Sequence, residues 1–319
     1  MRSWLLVGSA LCTIACAGPT ARQAELPAGP TLPPGAEAMS LTGQLLYPVP
    51  LVGDALERAE RNLADAKAAY DARPGSADAA IWLGRRTAYL GRYRDAIAIY
   101  AAAIARHPDD ARLYRHRGHR YISTRQLDRA IADFDRAASL IAGKPDEIEP
   151  DGQPNARNIP TSTLQSNIWY HLALAHYLKG DFDRALPAWR EGMSVSRNPD
   201  MQVATSHWLY MALRRLGRER EASAVLAPIH RDMDVIENGS YHRLLLMYKG
   251  ELHADSLLLR RNAAEQALDD VTVGYGAGNW HLYNGRRDEA MRIFREITAS
   301  RQWAAFGYIA AEAELARWR

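Results

Sequence analysis

From residue 54 onward, apolar residues recur at three- and four-residue steps, the spacing that gathers them on one face of a helix. The segments are rich in alanine and come in pairs, and the pairs recur every 34 residues. Residues 77–110 lie over 111–144 without a gap: Gly84 on Gly118, Tyr93 on Leu127, Ala96 on Ala130, Tyr100 on Phe134 and Ala103 on Ala137. Residues 166–199 place Trp169, Leu172, Ala173, Gly180, Phe182, Ala185 and Trp189 in the same positions. Each type has a physical use. Small residues at Gly84 and Ala96 let the two helices of a unit approach closely, Ala103 lets the next unit dock, and Tyr100 fills the space between units. Pro108 ends the second helix, because proline cannot continue one.

This pattern resembles the tetratricopeptide (TPR) family, whose period is about 34 residues and whose motif runs W-x2-L-G-x2-Y, then Ala, Phe or Tyr, and Pro. The resemblance implies an all-α, right-handed solenoid of roughly six helix-turn-helix pairs over residues 54–319. Three further units are weaker. Residues 203–235 keep Leu209, Gly217, Ala222 and Leu226, and 271–302 keep Gly278, Gly285, Ala290, Phe294 and Ile297. Residues 236–269 keep only the helix-pair rhythm and Gly250. Residues 54–74 read as a lone second helix, and 303–319 as a terminal helix that caps the array. Pro187 and Pro228 fall inside expected second helices, where they would kink them.

The repeats are preceded by an address and a spacer. Residues 1–17 hold Arg2, an apolar run from Trp4 to Ala15 and then small residues, the order of a secretory signal. Two processing readings are open. Cleavage after Ala17 fits the A-x-A rule, whereas Thr13-Ile14-Ala15-Cys16 resembles a bacterial lipobox with Cys16 as the acylated first residue, and the second is preferred. The expected location is therefore outside the inner membrane, periplasmic or held at the outer membrane by lipid. Residues 18–53 read as a tether, with seven prolines between Pro19 and Pro50, although Leu45–Leu51 is apolar enough to dock on the body as a lead-in strand. A second irregular stretch, 143–165, holds four prolines and two glycines, and reads either as a folded loop over the groove or as a surface excursion.

Composition narrows the chemistry. Forty basic and 37 acidic residues leave a formal charge of +3, too balanced to point to nucleic acid as a partner. Both cysteines, Cys12 and Cys16, lie in the leader, so neither a disulfide framework nor a cysteine metal site is available beyond it. His116 and His119 stand three apart on one helical face, but no third ligand accompanies them, so no metal and no cofactor is expected. No G-x-S-x-G, P-loop, HExxH or dinucleotide fingerprint is present, so no enzyme and no catalytic residue is expected. Asp232, Asp234, Glu237, Tyr241, His242 and Arg243 form the densest polar group, read as a hydrogen-bonded junction in the degenerate fifth unit.

Ligand contacts in the TPR family come mainly from the first helix of each unit, which faces the concave side. Carried over, those positions give Arg85 and Tyr89, then Arg112, Arg115, His116 and His119, then Asn167, Tyr170, His171 and Tyr177, then His207, Trp208 and Arg214, and finally Asn279. The set is rich in arginine, histidine and aromatic rings. It implies a non-enzymatic envelope scaffold whose groove binds a protein or peptide, with an acidic or C-terminal segment as the expected partner. The family's carboxylate clamp places Lys and Asn where this chain has Ile81 and Arg85, then Arg115 and His119. The alternative is a small-molecule or glycan binder with 143–165 as a lid over His171, His207 and Trp208.

Overall fold

A computed structural model describes residues 31–258 and 267–318. The expected leader with Cys16, the first part of the tether and a piece of the 236–269 unit lie outside the described residues. The fold is all-α: a series of TPR-type helix pairs. A first helix, α1 (Gly53–Ala72), packs on the pair α2 (Ala77–Tyr89) and α3 (Tyr93–Ile104). The pairs α4 (Ala111–Ser123) with α5 (Leu127–Ile141), α6 (Leu164–Lys179) with α7 (Phe182–Val195), and α8 (Pro199–Arg215) with α9 (Glu219–Leu226) follow. The last are α10 (Gly239–Tyr248) with the short α11 (Ala254–Leu258), and α12 (Ala267–Tyr283) with α13 (Arg287–Thr298), before a final α14 (Phe306–Arg317).

Helix starts are set by side chains that accept from free backbone N–H groups. Ser76 accepts from Ala79, Asp110 from Arg112 and Asn198 from Met201, while Thr163 and Ser166 form a reciprocal capping box. Within the pairs, a glycine on the first helix makes room for a ring on the second. A Cβ on Gly84 would lie 2.4 Å from the Tyr100 ring, one on Gly118 2.9 Å from Phe134, and one on Gly278 2.6 Å from Phe294. Pro187 lies within α7, whereas α9 has already stopped at Leu226, so Pro228 follows that helix and does not kink it.

The turn inside a pair needs a left-handed residue, which glycine adopts at least cost. Gly91, Gly180, Gly217, Gly250 and Gly285 supply it at φ between +69° and +86°. In the second pair the same place is held by Arg125 at φ +62°. A left-handed non-glycine residue costs about 1–2 kcal/mol, so something must hold Arg125 there.

Two expectations change. Residues 18–53 are not a free spacer over their described part. β1 (Ala38–Met39) pairs antiparallel with β2 (Leu45–Leu46), and Ala36, Ala38 and Leu46 are buried against the body. The apolar Leu45–Leu51 stretch does dock: the Tyr47 carbonyl accepts from Trp303 Nε1 at 2.7 Å. The second change concerns the last helix. Residues 303–319 do not cap an open end; α14 packs on α12, α13 and the inner helix α6.

Candidate functional site

The first helices line the concave side, as the repeat requires, and α14 packs against two of them, α6 and α12. Every residue from Gly307 to Glu314 is buried, and a helix buried on all its faces must be surrounded by protein. Its sequence suits a narrow space. Four of those eight residues are glycine or alanine, and a Cβ on Gly307 would meet the Val271 carbonyl oxygen at 2.6 Å.

Two buried glutamates fix the helix in place. Glu312 meets Arg125 Nη2 at 2.7 Å and also accepts from the Leu41 N–H of the N-terminal hairpin. Glu314 meets Arg215 at 2.5 Å and Arg317 at 2.6 Å. Arg317 in turn donates to the Leu178 carbonyl at 2.9 Å. Residues two apart on a helix point in nearly opposite directions. The helix is therefore gripped from both flanks, by the α4–α5 turn on one side and the end of α8 on the other. This explains Arg125: its guanidinium is required where the repeat would otherwise keep a glycine.

The insertion crosses the mouth of the same face as a folded strap. Ile148 bridges to Thr163, the Pro150 carbonyl accepts from Arg85 at 2.7 Å, and the Gly152 carbonyl accepts from Arg86 at 2.8 Å. Its far side reaches the α9–α10 connection. Arg157 pairs with Asp234 at 2.7 Å, and Glu237 accepts from Asn155 at 2.8 Å and from Thr161 at 2.7 Å.

The expected groove residues separate into four groups. Arg85 and Tyr89 lie beneath the strap, where a Cβ on Gly152 would fall 2.0 Å from the Tyr89 hydroxyl. Arg112 serves the repeat instead, pairing with Asp78 and Asp110 at 2.7 Å each. Tyr177, His207, Trp208 and Asn279 are core residues. Tyr177 bonds Tyr275 at 2.8 Å and accepts from Asn279 Nδ2 at 3.2 Å, so the curl of the array joins α6 directly to α12. His116 is buried against Tyr100, and Arg214 lies over the Tyr283 ring.

Arg115, His119, Asn167, Tyr170 and His171 remain together. They line an open cavity of about 310 Å³ between α14 and the strap. Its other walls were not expected from the sequence as ligand contacts: Phe306 from the start of α14, Thr161 and Ser162 from the strap, and Asp200, Glu237, Asn238 and Tyr241. Glu237 and Tyr241 belong to the polar group read as a junction. The junction there is made by Asp200, outside that group, whose carboxylate accepts from the N–H groups of Ile236, Glu237 and Asn238 at 2.8–2.9 Å.

The electrostatics of the cavity are subdued. Arg115, buried, is paired with Glu149 of the strap at 2.9 Å. His171 donates from Nδ1 to the Asn167 carbonyl at 2.6 Å, because a carbonyl only accepts, and this leaves Nε2 as an acceptor. Burial, reinforced by Arg115 and Arg120, holds His119 and His171 well below the ordinary imidazole range, so both are neutral at pH 7. Burial alone brings His207 down to about 3. Tyr170 and Tyr241 meet hydroxyl to hydroxyl at 3.3 Å. Among the described residues, no group of three or more His, Cys, Asp or Glu side chains is placed to hold a metal ion.

Similarity to known proteins is limited to structures. No protein-family model and no curated protein matches the chain. It is similar to YrrB, described as a TPR protein with an unusual peptide-binding site, at 16% identity over 73% of this chain and 91% of that one, with a TM-score of 0.42. It is also similar to a tetratricopeptide repeat protein from Parabacteroides merdae, at 13% identity over 77% and 93% of the two chains, with a TM-score of 0.46. Values this low leave the fold assignment on the chain's own repeats and helix pairs.

Proposed function

We propose that this chain is a non-enzymatic binding scaffold of the bacterial envelope, anchored through an acylated Cys16, which receives a short segment of a protein partner in the cavity between α14 and the strap. One observation supports the site above all: α14, buried from Gly307 to Glu314, packs against the first helices α6 and α12, and the cavity at its start is lined by expected contact residues from α4 and α6. Arginine-rich lining suggested an acidic partner. Here Arg112 is already paired with Asp78 and Asp110, Arg115 with Glu149, and Arg85 donates to the Pro150 carbonyl, all within the chain itself. A small molecule or glycan is the second reading, favoured by Thr161 and Ser162 of the strap forming one wall.

Placing a photo-crosslinking amino acid at Tyr241 and, as a control, at exposed Arg295 tests the site in whole cells. Discrete protein adducts at 241 and not at 295 are expected. Equal labelling at both, or none at 241, would remove the cavity as the partner site. The anchor is tested separately: Cys16→Ala should abolish incorporation of a clickable fatty acid and release the protein to the soluble periplasmic fraction. Unchanged incorporation would assign cleavage after Ala17.

A further inference from the structure

We infer that the cavity anchors its partner through one uncharged aromatic side chain that carries a hydrogen-bond donor, a tyrosine or tryptophan, and not through a carboxylate. This rests on the reading of the cavity as the partner site and adds what the partner must present.

Size comes first. About 310 Å³ is at the small end of ligand cavities, room for a single large side chain and not for a helix. The walls come next. Tyr170, Tyr241 and Phe306 surround the space, and His171 meets Phe306 edge-on with ring centres 5.5 Å apart. Rings in such surroundings gain offset and edge-to-face contacts beyond their buried area.

Charge then selects among large side chains. The cavity has no unpaired cation to offer an anion: Arg115 is committed to Glu149, and its two histidines are neutral. An entering carboxylate would also face Asp200 and Glu237. A cation would be drawn to the same two carboxylates, but the oxygens it would meet are already shared with other donors, so less of its lost hydration is replaced. Asp200 spends its oxygens on three backbone N–H groups, and Glu237 accepts from Asn155 and Thr161. Hydrogen bonding settles the remaining choice. His171 Nε2 carries a lone pair, and neither it nor the His119 ring nitrogens have a hydrogen-bond partner among the described residues. A phenolic O–H or indole N–H entering the cavity supplies the missing donor, which phenylalanine or leucine cannot.

The test is selection of a random peptide library on the full mature protein, followed by binding of the enriched peptides to the wild type and to Ala204→Trp. Ala204 lines the cavity and is partly exposed, so tryptophan there fills the space without removing a wall. Circular dichroism and the melting curve establish that this variant folds; Tyr241→Ala is the second variant. Enriched peptides are expected to share one tyrosine or tryptophan. Replacing it by glutamate, or binding to Ala204→Trp, should weaken affinity about tenfold or more. Peptides that share an acidic or basic residue yet still lose binding to Ala204→Trp would overturn the aromatic anchor and leave the cavity as the site. Peptides indifferent to both variants, or no enrichment, would overturn both.

Discussion

In the first two pairs, α2 to α5, contacts reach no further than the next pair: α2 meets α3 and α4, α3 meets α4, and α4 meets α5 and α6; the first pair keeps its own small apolar cluster, while much of the second joins the large core. In the closing half, α6 to α14, contacts jump. Here α12 reaches α8, α14 reaches α6, and one continuous core runs from the N-terminal hairpin to Ala311, taking in Ile122 and Phe134 of the second pair on the way. The two halves are built from the same unit. The first behaves as an additive array, in which each unit leans on the next. The second has become a closed globule around its own last helix. Closure adds a chemistry to stacking: glycine and alanine facing rings recur from pair to pair, and the last helix is fixed in addition by the buried carboxylates of Glu312 and Glu314.

The comparison can be broken by removing charges from the last helix. Glu314→Ala leaves Arg215, largely enclosed, without its carboxylate and should cost about 3 kcal/mol. In urea unfolding followed by hydrogen exchange, the loss should appear in α6 to α14 and leave α2 and α3 unchanged. Equal destabilisation of both halves would show that they unfold as one unit.

Arg125→Gly separates two accounts of the odd turn. If Arg125 serves the turn alone, glycine relieves the left-handed strain and stabilises by about 1 kcal/mol. If it holds Glu312, as the 2.7 Å pair requires, the variant should lose about 2–3 kcal/mol net, strain relief included. The sign of the change in urea midpoint decides.

Gly84→Ala sharpens the contrast from the other side. The added methyl must displace the Tyr100 ring and should cost about 1–3 kcal/mol, confined to the first pairs. Its effect should add to that of Glu314→Ala in a double variant, because the sites share no partner.

The smallest effect concerns pH. His207 in the native chain stays neutral down to about 3, while in the unfolded chain it titrates near 6.5. Its contribution is therefore complete above about pH 7 and is lost as pH falls below 6.5, where the unfolded state takes up the proton first. His207→Phe should shrink the stability loss between pH 7 and pH 6 by roughly 0.5–1 kcal/mol. An unchanged slope would mean that His207 is protonated in the native state.

The first half was legible from sequence because its physics is local. Gly84 opposite Tyr100 and Gly118 opposite Phe134 show in the 34-residue alignment before any coordinate is known. Closure was not, because it joins residues far apart in the chain: Arg125 with Glu312, Arg215 with Glu314, Tyr47 with Trp303. One signal was present and went unused. Arg125 stands where the unit before it has Gly91 and the unit after it Gly180. A side chain that displaces a turn glycine marks a position where its head group has work elsewhere. The alternation of Gly, Ala, Glu, Ala, Glu over 307–314 gave a helix but not its placement, since such a helix also suits a solvated end. Five of the sixteen lining residues, Arg115, His119, Asn167, Tyr170 and His171, were expected from first-helix positions, whereas Phe306 and the strap residues depended on closure.

Hydrogen exchange of the Ile309–Glu314 amides in the intact protein tests the central claim, that the chain fills its own groove. Enclosed on every side, these amides should be protected as strongly as those of α6, opening only with the closing half. Exchange within seconds to minutes, at the rate of an exposed terminal helix, would contradict a plugged array and return the concave face to solvent.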